Sequence, residues 1–154
     1  MTDFATNYQP KPDDQVLITN AEAALQNAYA PYSGFHVAVA ILLDNGVIVT
    51  GTNQENAAYP AGMCAERVAL FTVASQYPGE PIRKVVVIAR KSGATDLSPA
   101  TSCGSCRQVM LEFEHRQARP FEVIMLERPG SWLRASSAAA LLPFSFNKSN
   151  LSDP

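Results

Sequence analysis

The segment from Lys84 to Arg90 contains the run Val-Val-Val-Ile-Ala, which constrains the fold more than any other part of the chain. A strand with one buried face alternates apolar and polar residues, whereas a continuous β-branched run is typical of a strand covered on both faces. We therefore expect a sheet with a helical layer on each side. The 154 residues are enough for one such domain.

Further strands are expected before and after this run. Phe35 to Leu43 is strongly apolar, and Asp44-Asn45-Gly46 is a hairpin signal that returns the chain through Val47 to Gly51. Phe121 to Leu126 is predicted to be a strand, and Trp132 to Arg134 a short last one. Together with the helices, these strands predict a three-layer α/β domain with a mixed sheet.

Helices are predicted from apolar spacing and from their start and stop signals. They are expected from Asp13 or Asp14 up to Pro31, from Cys64 to Gln76, from Gly104 to His115, and from a cap at Ser136 or Ser137 to Leu142. We expect residues 1–12 to form a flexible leader, because Pro10 and Pro12 prevent an early helix. Residues 13–147 are expected to form a single domain and 148–154 a C-terminal tail.

Composition excludes several classes of partner. The net charge is −2 and no run of Lys or Arg marks a phosphate-binding face, so a nucleic-acid polymer is not expected as a partner. The N-terminal segment lacks the basic start and apolar stretch of a signal peptide. The longest apolar runs, such as Val37 to Leu43, are too short to cross a bilayer. We expect a soluble, cytoplasmic protein with no membrane partner.

The three cysteines lie in two short motifs, each at the start of a predicted helix. Cys64-Ala65-Glu66-Arg67 is followed 39 residues later by Cys103-Gly104-Ser105-Cys106. Free N–H groups and the helix dipole favour thiolate over thiol at a helix start, and thiolate is the form that binds metal. Three thiolates would hold Zn²⁺ and leave its fourth position open, as in a catalytic site.

Glu66 and Arg67 add two further functions to the first motif. Near the open metal position, the carboxylate of Glu66 would accept a proton from water and pass it to a leaving group. Three thiolates leave a Zn²⁺ site with net negative charge. Arg67 would offset that charge by donating hydrogen bonds to sulfur.

Each motif taken alone would also suit a different role. Cys103 and Cys106 would serve equally as a redox pair or as half of a structural zinc site. Cys64 alone would suit a small buried apolar residue, and Glu66 alone a solvated carboxylate. A structural zinc site normally has a fourth protein ligand, and neither His36 nor His115 lies in a matching motif. The combination favours a catalytic zinc site, with a non-enzymatic zinc or redox module as the remote alternative.

At these residues the sequence resembles the small cytidine deaminases. The segment Ala30 to Phe35, A-P-Y-S-G-F, is similar to the A-P-Y-S-x-F entry to their first strand. The segment Gly51 to Tyr59, G-T-N-Q-E-N-A-A-Y, is similar to their G-x-N-x-E-N-A-x-Y substrate loop. The resemblance extends from about Asp14 to Phe146.

The resemblance implies an α/β/α cytidine deaminase-like fold and hydrolysis of cytidine or 2′-deoxycytidine to the uridine and ammonia, a pyrimidine salvage reaction. Zn²⁺ held by Cys64, Cys103 and Cys106 would activate water. Glu66 would deliver its proton to pyrimidine N3 during attack at C4, and then protonate the departing amine. It also implies a homotetramer with shared active sites.

The resemblance also implies roles in substrate binding. Asn53 and Glu55 would hydrogen-bond a ribose hydroxyl, and Phe35 would lie beside the pyrimidine. The backbone of Ala65 and carbonyls just before Cys103 would bind the pyrimidine edge. Phe146 would enter the site of a neighbouring subunit. Plainer roles remain open: Asn53 and Glu55 as loop caps, and Phe35 as core. Three further aromatic residues are expected to be structural: Tyr32, Tyr59 and Trp132.

Two positions depart from the family pattern. Ser102 replaces a proline directly before the second cysteine motif, and we expect its carbonyl to remain available. Ala38 replaces a glycine, so its methyl group would press on a neighbouring helix or narrow the pocket. These departures leave open a second interpretation, in which the same chemistry acts on another amino-heterocycle of the blasticidin S type.

Overall fold

A computed structural model describes residues 4–151, so residues 1–3 of the expected leader and 152–154 of the expected tail lie outside it. The described residues form one six-stranded sheet with the strand order β1-β6-β5-β4-β2-β3. Strands β4 and β5 are parallel and every other neighbouring pair is antiparallel. The strands are β1 (Phe4–Tyr8), β2 (Phe35–Leu43), β3 (Ile48–Thr52), β4 (Ile82–Lys91), β5 (Glu122–Arg128) and β6 (Ser131–Ala135).

Helices cover both faces of this sheet, which confirms the three-layer α/β fold with a mixed sheet. They are α1 (Pro12–Ala24), α2 (Ala65–Gln76) and α3 (Gly104–Gln117). Along β4, Val85 and Val87 belong to the core cluster that contains residues of α2 and α3, while Val86 and Ile88 belong to the cluster around α1. The apolar run is therefore continuous because alternate side chains serve two different cores. No helix among residues 4–151 is long and apolar enough to span a membrane.

The predicted hairpin joins β2 and β3. Strand β2 has the predicted bounds, and Gly46 takes a φ of 86° in the turn, a conformation open to glycine at little cost. The side chain of Asn45 accepts a hydrogen bond from the N–H of Val47 at 3.0 Å. These two residues account for the tight reversal that the sequence indicated.

The expectation of a flexible leader was wrong for residues 4–8. These residues form β1, which pairs with β6 over registers such as Phe4 with Ala135. Pro12 opens α1 instead of preventing it, because a proline at the first helical position loses no helical hydrogen bond. Asp14 accepts a hydrogen bond from the N–H of Lys11 at 2.8 Å and so caps this helix start.

Two helix ends also differ from the predictions. Helix α1 ends at Ala24 and continues only as a 3₁₀ turn to Asn27, well before Pro31, because the following backbone pairs with the segment after β3. The expected helix after Ser137 is a single 3₁₀ turn, Ala139–Leu141. Its first N–H groups donate to the buried carboxylate of Glu114 instead of supporting a longer helix.

Candidate metal and substrate site

Helices α2 and α3 bring the three cysteine side chains to one point. Cys64 and Cys103 are the N-cap residues of the two helices, and Cys106 lies in the first turn of α3. Their three Sγ atoms lie within 4.8 Å of one another. Cys106 is buried, whereas Cys103 is exposed to the cavity described below.

Hydrogen bonds perturb two of these thiols. Hydrogen bonds from Cys106 and Arg67 lower the pKa of Cys64 to about 5, against an opposing effect of burial. The same contact with Cys64, together with burial, raises the pKa of Cys106. Arg67 Nη2 lies 3.7 Å from Cys64 Sγ, and this contact raises the pKa of the guanidinium. The guanidinium of Arg67 therefore lies beside the thiol whose pKa is lowered.

This donor set fits Zn²⁺. Tetrahedral zinc with Zn–S bonds of about 2.3 Å requires sulfur atoms about 3.8 Å apart, which is compatible with three Sγ atoms lying within 4.8 Å of one another. All three thiols lie at helix starts, where free backbone N–H groups are available to stabilise a thiolate, and metal binding releases the protons that remain. The Nε atom of Arg67 is buried without a hydrogen-bond partner among residues 4–151, so the side chain retains a donor next to the sulfur atoms. Zn²⁺ would bind the three converging sulfur atoms, and the resulting thiolates would be acceptors for the remaining N–H of Arg67.

Glu66 is buried next to this cluster, with 5% of its surface exposed. Within the described part of the chain its carboxylate has no hydrogen bond or ion pair, although it lines the cavity with Cys64 and Cys103. Its negative charge contributes to the raised pKa of Cys106, which places the two groups close together. A buried carboxylate that the protein itself does not neutralise is available to carry a proton.

Cys64 and Cys103 border a cavity of about 660 Å³. This volume lies within the range of small-molecule sites. Every substrate residue predicted above, except Phe146, lines it: Phe35, Asn53, Glu55 and Ala65. Phe146 lies outside the cavity of its own chain, with a side chain 58% exposed and a carbonyl that accepts from Gln108 at 2.8 Å.

Asn53 and Glu55 hold the entry segment of β2 in place. The amide of Asn53 accepts from the N–H of Val37 at 2.8 Å and donates to the carbonyl of Phe35 at 2.9 Å. Glu55 accepts from the N–H of Tyr32 at 2.9 Å. Both side chains therefore cap loop backbone, as the plainer interpretation expected. The same hydrogen bonds hold the two side chains in the cavity wall.

Several cavity residues were missed by sequence reasoning, and three of them are polar side chains of the family motifs. Tyr32 and Tyr59 were assigned to structure, yet both line the cavity and meet edge to face with ring centroids 6.1 Å apart. Ser33 also lines the cavity and bonds Glu55. All three belong to the A-P-Y-S-G-F and N-A-A-Y segments, so their motif position was the available signal.

The two departures from the family pattern have different surroundings. The carbonyl of Ser102 already accepts a hydrogen bond from Arg107 Nε at 2.8 Å, while its N–H donates to the sulfur of Met125 at 3.3 Å. Ala100 and Thr101, just before it, line the cavity. Ala38 belongs to the core cluster around α1, on the opposite face of the sheet from the cysteines. Its methyl group therefore packs toward a helix and does not narrow the cavity.

Comparison with known families defines the class of protein. Residues 11–119 match the family model described as the cytidine and deoxycytidylate deaminase zinc-binding region. The matched segment contains both cysteine motifs and Glu66. The chain belongs to this family.

Individual relatives are similar over most of their length. A cytidine deaminase of Halalkalibacterium halodurans is 37% identical over 141 residues, covering 92% of this chain and 99% of the relative. One of Sporosarcina psychrophila is 36% identical over 140 residues, covering 91% and 96%. The crystal structure of a cytidine deaminase from Burkholderia pseudomallei shares 39% identity and superimposes with a TM-score of 0.70, covering 86% of this chain and 98% of that one.

Proposed function

We propose that this protein catalyses the hydrolytic deamination of cytidine and 2′-deoxycytidine to the corresponding uridine and ammonia, a step of pyrimidine salvage. One observation carries the proposal: the unpaired carboxylate of Glu66 lies beside three converging thiols in a cavity that also exposes Asn53 and Glu55. The family match and the named relatives support the same reaction.

Cys64, Cys103 and Cys106 would hold Zn²⁺, which supplies Lewis acidity that activates water when bound. Glu66 would accept a proton from the attacking water and transfer it to N3 of the pyrimidine. It would then accept the proton of the new C4 hydroxyl and transfer it to the amine, which leaves as ammonia. Arg67 offsets the negative charge of the thiolates through its contact with Cys64. The backbone of Ala65 and the carbonyls before Cys103 orient the pyrimidine edge.

Sugar recognition distinguishes this proposal from deamination of another amino-heterocycle. Asn53 and Glu55 offer amide and carboxylate groups to ribose hydroxyls, and Phe35 packs against the pyrimidine. The only cationic side chain among the described cavity residues is Arg67, which is engaged with sulfur, so an uncharged nucleoside suits the cavity.

The testing experiment is an ultraviolet assay on cytidine and 2′-deoxycytidine, with and without a zinc chelator. We expect turnover of both nucleosides, loss of turnover after chelation, and recovery on adding Zn²⁺. Failure to deaminate either nucleoside, with turnover of blasticidin S or a related amino-heterocycle, would assign the second substrate class. A zinc-free protein with a Cys103–Cys106 disulfide would contradict the enzyme proposal.

We further propose a cytoplasmic homotetramer built from a single deaminase domain. Three thiols that serve as metal ligands require a reducing compartment. Phe144, Phe146 and Leu151 are all more than half exposed in the isolated chain, which suits contact with neighbouring subunits. Phe146 would then reach a neighbouring active site. Sedimentation analysis of the purified protein tests the assembly.

A further inference from the structure

The hydroxyl of Ser33 links two parts of the cavity wall. It donates a hydrogen bond to Glu55 Oε1 and accepts one from the N–H of Phe35 at 3.0 Å. The second carboxylate oxygen, Oε2, accepts from the N–H groups of Tyr32 at 2.9 Å and Ser33 at 3.3 Å. Ser33 is therefore the one side chain among the described residues that bonds this carboxylate.

These contacts nearly fill the carboxylate. An ionised carboxylate has about four lone-pair positions, and here three donors occupy three of them. One position remains for a hydroxyl donor of a ligand. Because Ser33 fixes Oε1, its hydroxyl decides which way the remaining lone pair faces.

We infer that Ser33 is a positioning residue for sugar recognition, which orients the carboxylate of Glu55 toward a sugar hydroxyl in the cavity. This inference rests on the proposed nucleoside deaminase function. Ser33 does not itself contact the reacting atoms, and its effect on the reaction passes through Glu55.

The backbone on both sides is held independently of this hydroxyl. The N–H of Glu55 donates to the carbonyl of Tyr29 at 2.8 Å, and Gly34 donates to Ala30 at 3.0 Å. The N–H of Ser92 on the neighbouring segment donates to the carbonyl of Gly34 at 2.7 Å. Removal of the Ser33 hydroxyl should therefore release Oε1 of Glu55, while the backbone N–H groups still hold Oε2 and the loop keeps its course.

The ionisation of Glu55 also supports a role for Ser33 in sugar recognition. The hydrogen bond from Ser33 is the largest influence on Glu55 and lowers the pKa of its carboxyl group. An ionised carboxylate only accepts hydrogen bonds, so this lowering keeps Glu55 suited to a hydroxyl donor. Ser33 is exposed and Glu55 is half-buried in the isolated chain, so solvent limits the effect.

The test compares Ser33→Ala on cytidine and on 2′,3′-dideoxycytidine, which lacks both ring hydroxyls of the sugar. We expect kcat/KM for cytidine to fall about five- to tenfold, mostly through KM, in line with the net contribution of one solvent-accessible hydrogen bond. The dideoxynucleoside should change less than about twofold, since it lacks the 2′ and 3′ hydroxyls that this carboxylate would accept from. Ser33→Thr keeps a hydroxyl and should therefore retain kcat/KM for cytidine near the wild-type value. Ser92→Ala, on the adjacent segment, is the matched control and should leave kcat/KM unchanged.

A double-mutant cycle isolates the route of the effect. In a Glu55→Ala background, Ser33→Ala should cause no further loss on cytidine, because the group that it orients is absent. An independent loss in that background, or equal losses on both nucleosides, would overturn the inference while leaving the proposed function intact. Wild-type protein that deaminates no cytidine nucleoside would instead overturn the proposed function, and the inference with it.

Discussion

A Cβ atom placed on Gly51 would lie 2.5 Å from the backbone nitrogen of Ala69, and 2.8 Å from the carbonyl oxygen of Ala65. Both contacts are with backbone atoms of α2, so the helix rests directly on β3 at this glycine. The first turn of the same helix carries Glu66, and its N-cap is Cys64. The height of α2 over the sheet therefore sets the position of two proposed active-site groups.

Gly51→Ala should displace α2 from the sheet. A methyl group that meets backbone cannot be relieved by a rotamer change, so we expect a loss of about 1–3 kcal/mol in the free energy of unfolding, measured by chemical denaturation. Turnover should fall as well. The control is Thr50→Ala on an exposed position of the same strand, expected to change stability by less than about 0.5 kcal/mol. Equal stability of the glycine variant and wild type would contradict the direct packing.

Glu66→Gln should separate metal binding from proton transfer. The amide keeps the size of the side chain but cannot carry a proton, so we expect turnover of cytidine to fall by a factor of about 100 to 10,000. Zinc content, measured by metal analysis, should stay unchanged because Glu66 is not a proposed ligand. Glu112→Gln, at an exposed position of α3, serves as the control for charge removal. Full activity of the Glu66 variant would exclude the proposed mechanism.

Local patterns were sufficient for the central elements of the fold. The bounds of β2 and the C-terminal end of α2 at Gln76 match the predictions, because apolar spacing and turn residues define them within a few positions. The α3 start was also correct, since Cys103 and Gly104 mark it in the motif itself. Patterns of this kind depend on neighbours in sequence and need no knowledge of partners.

Elements stabilised by distant partners were not predictable in the same way. Strand β1 exists because Phe4 pairs with Ala135, far along the chain, and the sequence around it contains no strong apolar alternation. The helix predicted after Ser137 forms only one turn, because its first N–H groups donate hydrogen bonds to the carboxylate of Glu114 on α3. Neither contact has a local signature.

The candidate site divides along similar lines. Residue type and spacing identified the cysteines and Glu66, since metal ligation restricts both. The use of Asn53 to join the backbone of Phe35 and Val37 required the fold, because that contact crosses between strands. The cavity positions of Tyr32 and Tyr59 required it too, because a tyrosine in a loop motif has no directional signal.

Zinc removal should lower stability as well as activity. The proposed ligands lie at the starts of two helices, so a bound metal would cross-link α2 and α3. At a free zinc concentration of about 100 Kd, binding contributes about 2.7 kcal/mol. That corresponds to a Tm change of roughly 5–10 °C for a chain of this size. Thermal unfolding with and without chelator measures it, and Cys103→Ala should abolish most of the difference. A chelator effect of equal size in that variant would argue against this ligand.

The buried carboxylate of Asp14 should make stability depend on acid pH. Its surface is fully buried, and it accepts hydrogen bonds from Lys84, from the hydroxyl of Tyr8 at 2.6 Å and from the N–H of Lys11 at 2.8 Å. Burial alone raises the pKa of this carboxyl group, but the three hydrogen bonds outweigh it and lower the pKa below its ordinary value. The group therefore joins β1, α1 and β4 while ionised.

Because the folded-state pKa is lower than the unfolded value, the stabilisation by Asp14 is fully present above the unfolded pKa. It is lost as the pH falls through the folded pKa.

Asp14→Asn should lower the free energy of unfolding by about 1–3 kcal/mol at pH 7, since Lys84 and Tyr8 lose their charged acceptor. The difference from wild type should begin to shrink below about pH 4, where Asp14 of the unfolded chain becomes protonated, and should shrink further as the pH falls toward the lower folded-state pKa. Urea denaturation across about pH 3–7 measures the stability difference at pH 7 and its change with pH. Asp13→Asn, at the exposed neighbouring position, is the control. A difference that stayed constant down to the acid end of this range would mean that the charge of Asp14 does not stabilise the fold.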